Sequence, residues 1–495
     1  MGQLYTTIRK CKHLDSDLFE NFSRGGYHES LSCLLLKFKS LVLQLQPMKF
    51  KAFTAVLVCK IVRGLARLFG RGSSLPGKYA LKICPDILSQ MDIPELSIAV
   101  TGSNGKTSTV EMIAHVLKSN GLKVAYNKEG SNQIEGVVTF LIGNSTLSGR
   151  VKSDVVLMEA DERYARKIFK YFHPKYFVIN NLYRDQMTRN GHPEWIKSII
   201  SDAVYGDMTL ILNADDPLVA SIGRDRDDTV YFGAGRLATD TEKHEGIYDD
   251  GKYCPFCKGP MQYEYYHYNH IGKYMCPYCG FTRPETEHTL TSVNDLNGKA
   301  SITIDGKYVI PVFFNGIYHS YNILAAFTAS TLAGVDPGKA ADALGGYILK
   351  SGRISDFTLG NVQGRLLLSK HENSVSYDRS IDVVYNDGRK KSVMIIVDAI
   401  SRKYYTSDSS WLWDINFEKL AKADLDRIIL AGQYCDDLAI RFGVAGFDDS
   451  KTEVFESVAD AAEYCKNNLD SFLYVITCFS DKDKILSIVT RRELE

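Results

Sequence analysis

Short apolar runs that end in polar clusters recur along the chain. Each is followed by a stretch whose apolar residues fall three and four apart, so the pattern reads strand then helix, repeatedly. Residues 96–100 form one such run; Val110, Ile113, Ala114 and Leu117 then share a helical face that Gly121 stops. Residues 155–158, 176–179 and 209–212 continue the alternation. After Gly352-Arg353 it restarts, with strands expected at 365–368, 393–397, 427–430 and 473–477. The expected fold class is therefore α/β, a parallel-rich sheet in a central domain (76–350) and a Rossmann-like α/β domain after it (351–495). A length of 495 residues agrees, being too great for one hydrophobic core.

The start of the chain reads differently. The opening MGQLYTTIRKCKHLDSD has acidic residues close behind basic ones and no apolar run leading to a small-residue cleavage site, so it is not read as a signal peptide, and residues 1–47 are expected to be a peripheral extension. Residues 48–75 contain an amphipathic helix with Phe53, Val56, Leu57, Ile61, Leu65 and Leu68 on one face. Lys60, Arg63 and Arg67 interrupt its apolar run, which falls short of the roughly 18 apolar residues of a spanning helix. Packing of that face on the protein body is the first expectation, and resting on an anionic membrane surface is the alternative.

The first strand runs into Thr101-Gly102-Ser103-Asn104-Gly105-Lys106-Thr107-Ser108 and a helix follows, the context a phosphate loop requires. Glycines let N–H groups converge on phosphate oxygens, Lys106 neutralises the terminal phosphates, and the Thr107 hydroxyl can ligate Mg²⁺. The competing reading is a plain glycine turn with a surface lysine. Glu159, Asp161 and Glu162, then Asn180 and Asn181, then Asn213, Asp215 and Asp216 lie just past the next three strands, where open parallel sheets bind ligands. Asn213 to Pro217 reads equally well as an ordinary turn.

Of 11 cysteines, four form two tight pairs, Cys254/Cys257 and Cys276/Cys279, with 18 residues between the pairs. That spacing is a structural zinc pattern: four thiolates close a tetrahedral Zn²⁺ and leave no open position for catalysis. It defines an insert at 250–285 and points to a reducing, cytoplasmic compartment. Tyr263, Tyr265, Tyr266, Tyr268 and Tyr274 between the pairs could stack on bases. Few basic residues accompany them, and 59 Lys plus Arg against 59 Asp plus Glu leave no electrostatic footprint for nucleic acid, so packing of the insert is preferred.

The loop Thr101-Gly-Ser-Asn-Gly-Lys-Thr107 resembles the ATP loop of the Mur ligase family. Asn127-Lys-Glu-Gly-Ser-Asn132, Glu159-Ala-Asp-Glu162, Asn181-Leu-Tyr-Arg-Asp-Gln186, Asn213-Ala-Asp-Asp-Pro217, Tyr318-His-Ser-Tyr-Asn322 and Asp408-Ser-Ser-Trp-Leu-Trp-Asp414 are similar to successive motifs of its MurT branch. The resemblance implies a central ATP-binding Mur ligase domain and ATP-dependent amidation of the D-glutamate α-carboxylate of lipid II through an acyl phosphate. A GatD-type glutaminase would supply the ammonia, at the inner face of the cytoplasmic membrane. It implies that Gly102, Asn104, Gly105, Lys106, Thr107, Ser108, Asn181, Asn322 and Arg353 hold the nucleotide and that Thr107 and Glu159 hold Mg²⁺. Lys106, Glu159 and Asp408 would be catalytic, with Asp408 reaching the partner's glutaminase site; a loop carboxylate capping a turn is the other reading of Asp408.

The chain departs from the branch in its C-terminal part. Lys370 is followed by His371-Glu372-Asn373-Ser374-Val375-Ser376 where a Lys-Asn-Pro-Ala-Gly-Phe-Asn stretch is usual; His319 stands for an Asn and Ser355 for a Glu. These changes touch substrate identity more than ATP binding. They keep two alternatives in view, a ligase joining an amino acid to another carboxylate and a nucleotide-binding scaffold without catalysis.

Overall fold

The computed structural model describes residues 50–68, 74–127, 133–186, 190–296, 299–312, 316–347, 354–398 and 408–492. The expected extension 1–47 and Arg353 lie outside them.

A nine-stranded sheet and a seven-stranded sheet organise the chain. In the first, Val124–Tyr126, Val155–Glu159, Ser97–Thr101, Tyr176–Ile179, Thr209–Asn213 and Thr229–Ala234 lie side by side, all parallel. His288–Leu296 joins in parallel at the far edge, and Lys299–Ile304 and Tyr308–Val312 extend it antiparallel. The central strand is buried along its whole length, as a strand covered on both faces must be. Its side chains alternate between two cores. Ile98 and Val100 pack with Val110, Ile113, Ala114 and Leu117 of helix Lys106–Ser119, while Ala99 faces Val137, Val138 and Leu141 of helix Ile134–Gly143.

The second sheet places Thr452–Phe455, Ile428–Ala431, Lys391–Ile396, Phe472–Cys478 and Val362–Ser369 parallel, with Ile354–Leu359 and Thr490–Arg492 antiparallel at one edge. It too carries a core on each face. Both sheets present the carboxyl ends of their parallel strands as loops, and the loops of one meet the loops of the other.

Helix Phe50–Leu68 corrects an expectation. Its inward face is made of small residues, Ala52, Ala55, Val56 and Cys59, which pack beside helices Leu75–Ile83 and Ile134–Gly143. Phe53, Leu57, Ile61 and Leu65 point to solvent. Close helix packing favours the small face, and Lys60 fixes the rotation by donating to the carbonyls of Ile142 (2.8 Å) and Ser145 (2.7 Å). Among the described residues no helix is long and apolar enough to cross a membrane.

Candidate functional site

The central strand enters a loop that turns at Gly102 (φ 135°) and Gly105 (φ 84°) before the helix begins at Lys106. Both conformations favour glycine, and the surroundings leave no room for more. A Cβ on Gly105 would lie 2.0 Å from Asn322 Oδ1, and one on Gly102 would lie 3.0 Å from the Asn181 carbonyl oxygen. Asn181 clasps the loop in both directions: its Oδ1 accepts from Asn104 N (2.8 Å) and its Nδ2 donates to Asn104 O (3.2 Å). Behind it, Asn180 Nδ2 donates to Thr109 Oγ1 (2.9 Å). The loop is thus a preformed cradle at a helix N-terminus, whose first-turn N–H groups favour anions.

Lys106 folds back into this cradle, donating to Gly102 O and pairing with Glu162. Burial by itself would lower its pKa, but Glu162, Glu159 and Asp185 outweigh that and hold the ammonium above the ordinary lysine range. Next to it Thr107 is exposed, and its Oγ1 donates to Glu159 Oε2 at 2.8 Å. A hydroxyl and a carboxylate side by side at a phosphate cradle are the hard oxygen ligands Mg²⁺ selects, so the residues present fit that ion. Ser108 completes the helix's first turn.

The other strand-end group has a different role. Asn213, Asp215 and Asp216 are fully buried. Asp216 caps helix Pro217–Ala220 through Leu218 N (2.9 Å) and Val219 N (3.2 Å) and accepts from Leu182 N (2.8 Å). Asp215 accepts from Arg283, from Tyr321 and from Ala234 N. These carboxylates are spent on bracing, so the turn reading is the one the structure has.

Three residues that sequence reasoning passed over join the two sheets at the cradle. Lys370 Nζ pairs with buried Asp185 and donates to Ser103 O (3.1 Å). Asn373 Nδ2 donates to Asp185 Oδ1 (2.9 Å), while the Asn373 and Asn104 amides face each other at 3.2 and 3.3 Å. Asn373 Oδ1 also caps helix Ser374–Tyr385 through Ser376 N (2.8 Å). The replaced Lys-Asn-Pro-Ala-Gly-Phe-Asn stretch is therefore where the second sheet grips the phosphate loop. Gln186 N donates to Glu372 O (2.9 Å) at the same joint, and both residues take positive φ (48° each), a conformation that side chains rarely adopt.

Asp408 sits exposed at the start of the short turn Ser410–Asp414. Its Oδ1 accepts from Ser410 N (2.9 Å), and bonding to Ser410 holds its carboxyl below the usual carboxylate range. That geometry has the form of a cap, on a carboxylate that still faces solvent.

The four cysteines converge. Cys254 and Cys279 sulfurs lie 3.5 Å apart, Cys257 and Cys276 sulfurs 3.4 Å, and all four within 4.8 Å of one another. Zn–S bonds of 2.3 Å in a tetrahedron set sulfurs about 3.8 Å apart, so this donor set fits Zn²⁺ with no fifth position. The two turns are built alike. Lys258 N bonds to Cys254 O and Gly280 N to Cys276 O, both at 3.0 Å, with Lys258 (φ 61°) and Gly280 (φ 73°) turning left-handed. Desolvation, which raises the Cys276 thiol, is outweighed by the N–H groups of Cys279 and Tyr278, which bring it down to about 7. The aromatics pack inward: Tyr263 stacks on Tyr266 at 4.2 Å, and buried Tyr274 donates to Ala214 O (2.9 Å).

Comparison with known proteins agrees with this anatomy. A Mur ligase middle domain matches residues 100–275, and a MurT ligase C-terminal domain matches residues 370–481. The Lipid II isoglutaminyl synthase (glutamine-hydrolyzing) subunit MurT of Streptococcus pneumoniae is 30% identical over 436 residues, 87% of this chain and 95% of its own. The Staphylococcus aureus (strain COL) protein of the same name is 29% identical over 84% of this chain and 93% of its own. Among solved structures, a pseudomurein peptide ligase type C from Methanothermus fervidus superposes with a TM-score of 0.62 at 23% identity, covering 82% of this chain and 80% of that one. MurF from Acinetobacter baumannii gives 0.58 at 16% identity, covering 83% and 80%. These two establish the fold. With a phosphate cradle on its first sheet, a cysteine quartet in the insert and a 30% identical relative matched almost end to end, the chain belongs to the MurT family of Mur-type ligases.

Proposed function

We propose that the chain phosphorylates a carboxylate with ATP and delivers the acyl phosphate to ammonia, converting the D-glutamate α-carboxylate of the lipid II stem peptide to D-isoglutamine. The cradle carries the reading: a protonated Lys106 at a glycine loop beside the Thr107–Glu159 pair is suited to a nucleotide's terminal phosphates. The relatives' name supplies the acceptor and the nitrogen source.

The chemistry divides into two displacements. A carboxylate oxygen attacks the γ-phosphorus and ADP leaves; ammonia then attacks the acyl carbon and inorganic phosphate leaves, carrying that oxygen with it. A carboxylate is a poor electrophile, and phosphorylation supplies its leaving group. Lys106 and the first-turn N–H groups offset charge on the transferring phosphoryl group, and Asn181 and Asn322 keep the cradle in shape. Thr107 and Glu159 would hold Mg²⁺, which would supply neutralisation of phosphate charge. Arg353 belongs to the nucleotide site by its motif alone. The zinc quartet stabilises the insert and takes no part in the reaction.

Asp408 is read as the residue that reaches a GatD-type glutaminase and orients its catalytic histidine. Its solvent-facing carboxylate, within reach of a docked protein, supports this. The same reading sets the chain on the cytoplasmic side, at the membrane face that carries a lipid-linked acceptor. Purified chain with that partner, ATP, glutamine and lipid II should yield ADP, glutamate and an amidated stem peptide. Asp408→Asn should abolish glutamine-dependent product while sparing product formed from free ammonia. Equal loss with both nitrogen sources would remove Asp408 from this role, and absence of amidated product from the native pair would remove the proposed reaction.

A further inference from the structure

Helix Phe50–Leu68 has two apolar faces, and among the described residues only the small one is packed against a neighbour. Phe53, Leu57, Ile61 and Leu65 fall within an arc of about 120° at 100° per residue, a continuous stripe along the helix. On the helix packed beside it, Leu75–Ile83, Leu75 and Tyr79 are exposed as well. All six are between 38% and 57% exposed. Single exposed apolar residues need no explanation; a stripe of them on one helix does.

Charge indicates what covers the stripe. The chain as a whole is neutral, yet from Ser30 to Pro85 it contains ten Lys or Arg and no Asp or Glu. Lys60 and Arg63 turn inward, toward the end of helix Ile134–Gly143. Lys51, Lys78 and Lys82 are exposed on the same two helices as the stripe. A second copy laid stripe to stripe would bring lysines against lysines, since neither helix carries an Asp or Glu. Large apolar side chains flanked by lysines, with no carboxylate in 56 successive residues, instead match a surface that is apolar beneath and anionic above.

We propose that helices Phe50–Leu68 and Leu75–Ile83 form a docking surface for an anionic lipid bilayer. Phe53, Leu57, Ile61 and Leu65 enter the acyl boundary, while Lys51, Lys78 and Lys82 meet phosphate headgroups. The first helix lies in the membrane plane and does not cross it. This inference goes beyond the ligase reading and does not depend on it, since docking requires neither nucleotide nor acceptor.

The test is sedimentation of the full chain with sucrose-loaded vesicles of phosphatidylcholine alone, or with about a third phosphatidylglycerol, at low and high salt. The wild type should sediment with the anionic vesicles, weakly with neutral ones, and less as salt rises. Leu57→Glu/Ile61→Glu, whose positions face solvent, should lower the partition about tenfold or more while leaving the melting temperature unchanged. Lys78→Glu/Lys82→Glu, which leaves the stripe intact, should remove the preference for anionic vesicles. Failure of the wild type to sediment, or equal sedimentation of wild type and both variants, overturns the proposal. So does a Leu57→Glu/Ile61→Glu variant that changes oligomeric state or loses a glutaminase partner without changing vesicle binding, because the stripe would then be covered by protein.

Discussion

Replacing Asp185 by Asn removes the charge on which the joint between the two sheets converges. The Asp185 carboxylate is almost wholly buried and faces Lys370, whose side chain is about a quarter exposed. Breaking a buried ion pair costs about 3–5 kcal/mol, and water at Lys370 lowers that to about 2–3 kcal/mol. Asn373 still donates to residue 185, so the loss falls on the lysine, which also holds the Ser103 carbonyl of the phosphate loop. For a domain of about 150–250 residues the corresponding fall in melting temperature is roughly 4–12 °C. Scanning calorimetry of the wild type, Asp185→Asn, Lys370→Met and the double variant closes a thermodynamic cycle. The double variant should be less damaged than the sum of the singles by about 1–2 kcal/mol, since it leaves no unpaired charge. Singles that add within about 0.5 kcal/mol, or an Asp185→Asn protein that melts with the wild type, would show that the two side chains are not coupled across the joint.

Three further outcomes follow from the same geometry. Lys106→Ala should abolish ADP formation, and normal turnover would dismiss the phosphate-loop assignment; a melting curve taken alongside separates this from the cost of leaving Glu162 unpaired. Stripping metal with a chelator, or Cys276→Ser, should lower the melting temperature and release Zn²⁺ detectable by a chromogenic indicator, while a metal-free protein with unchanged melting would contradict a structural zinc. Burial, with help from Arg379, pushes the His319 imidazole down to about 4 from its usual 6.5. The unfolded chain therefore takes up a proton below pH 6.5 that the folded chain refuses until about pH 4, so stability should fall as pH drops through that window, by at most about 3 kcal/mol. Urea unfolding of His319→Asn at pH 7 and pH 5 should show a smaller loss than the wild type; identical losses would mean that His319 does not titrate this way.

What could be read from the sequence was what is local in it. The phosphate loop and the two Cys-x-x-Cys turns carry their chemistry within a few residues, and the flanking apolar runs fix them to strand ends. Asn181 was legible for a related reason, since it follows its strand directly. The joint was not, because its partners are far apart in the chain: Asn373 reaches across 188 positions to Asp185 and 269 to Asn104. His371 to Ser376 read only as a departure from a familiar stretch, although Asn373 ahead of an apolar-periodic segment is a helix-cap signal that marks it as fixed. Helix Phe50–Leu68 misled for another reason. Hydrophobicity favoured its large side chains as the inward face, whereas close packing beside neighbouring helices selected Ala52, Ala55 and Cys59. Periodicity reports that a face is apolar, not which of two apolar faces is buried.

The proposed amidation passes through an acyl phosphate formed at the Lys106 cradle, and isotope transfer tests that step most directly. Lipid II carrying oxygen-18 in the D-glutamate α-carboxylate, incubated with the chain, a GatD-type glutaminase, ATP and glutamine, should release inorganic phosphate containing one labelled oxygen for each amide formed. Amide formed together with unlabelled phosphate would rule that intermediate out.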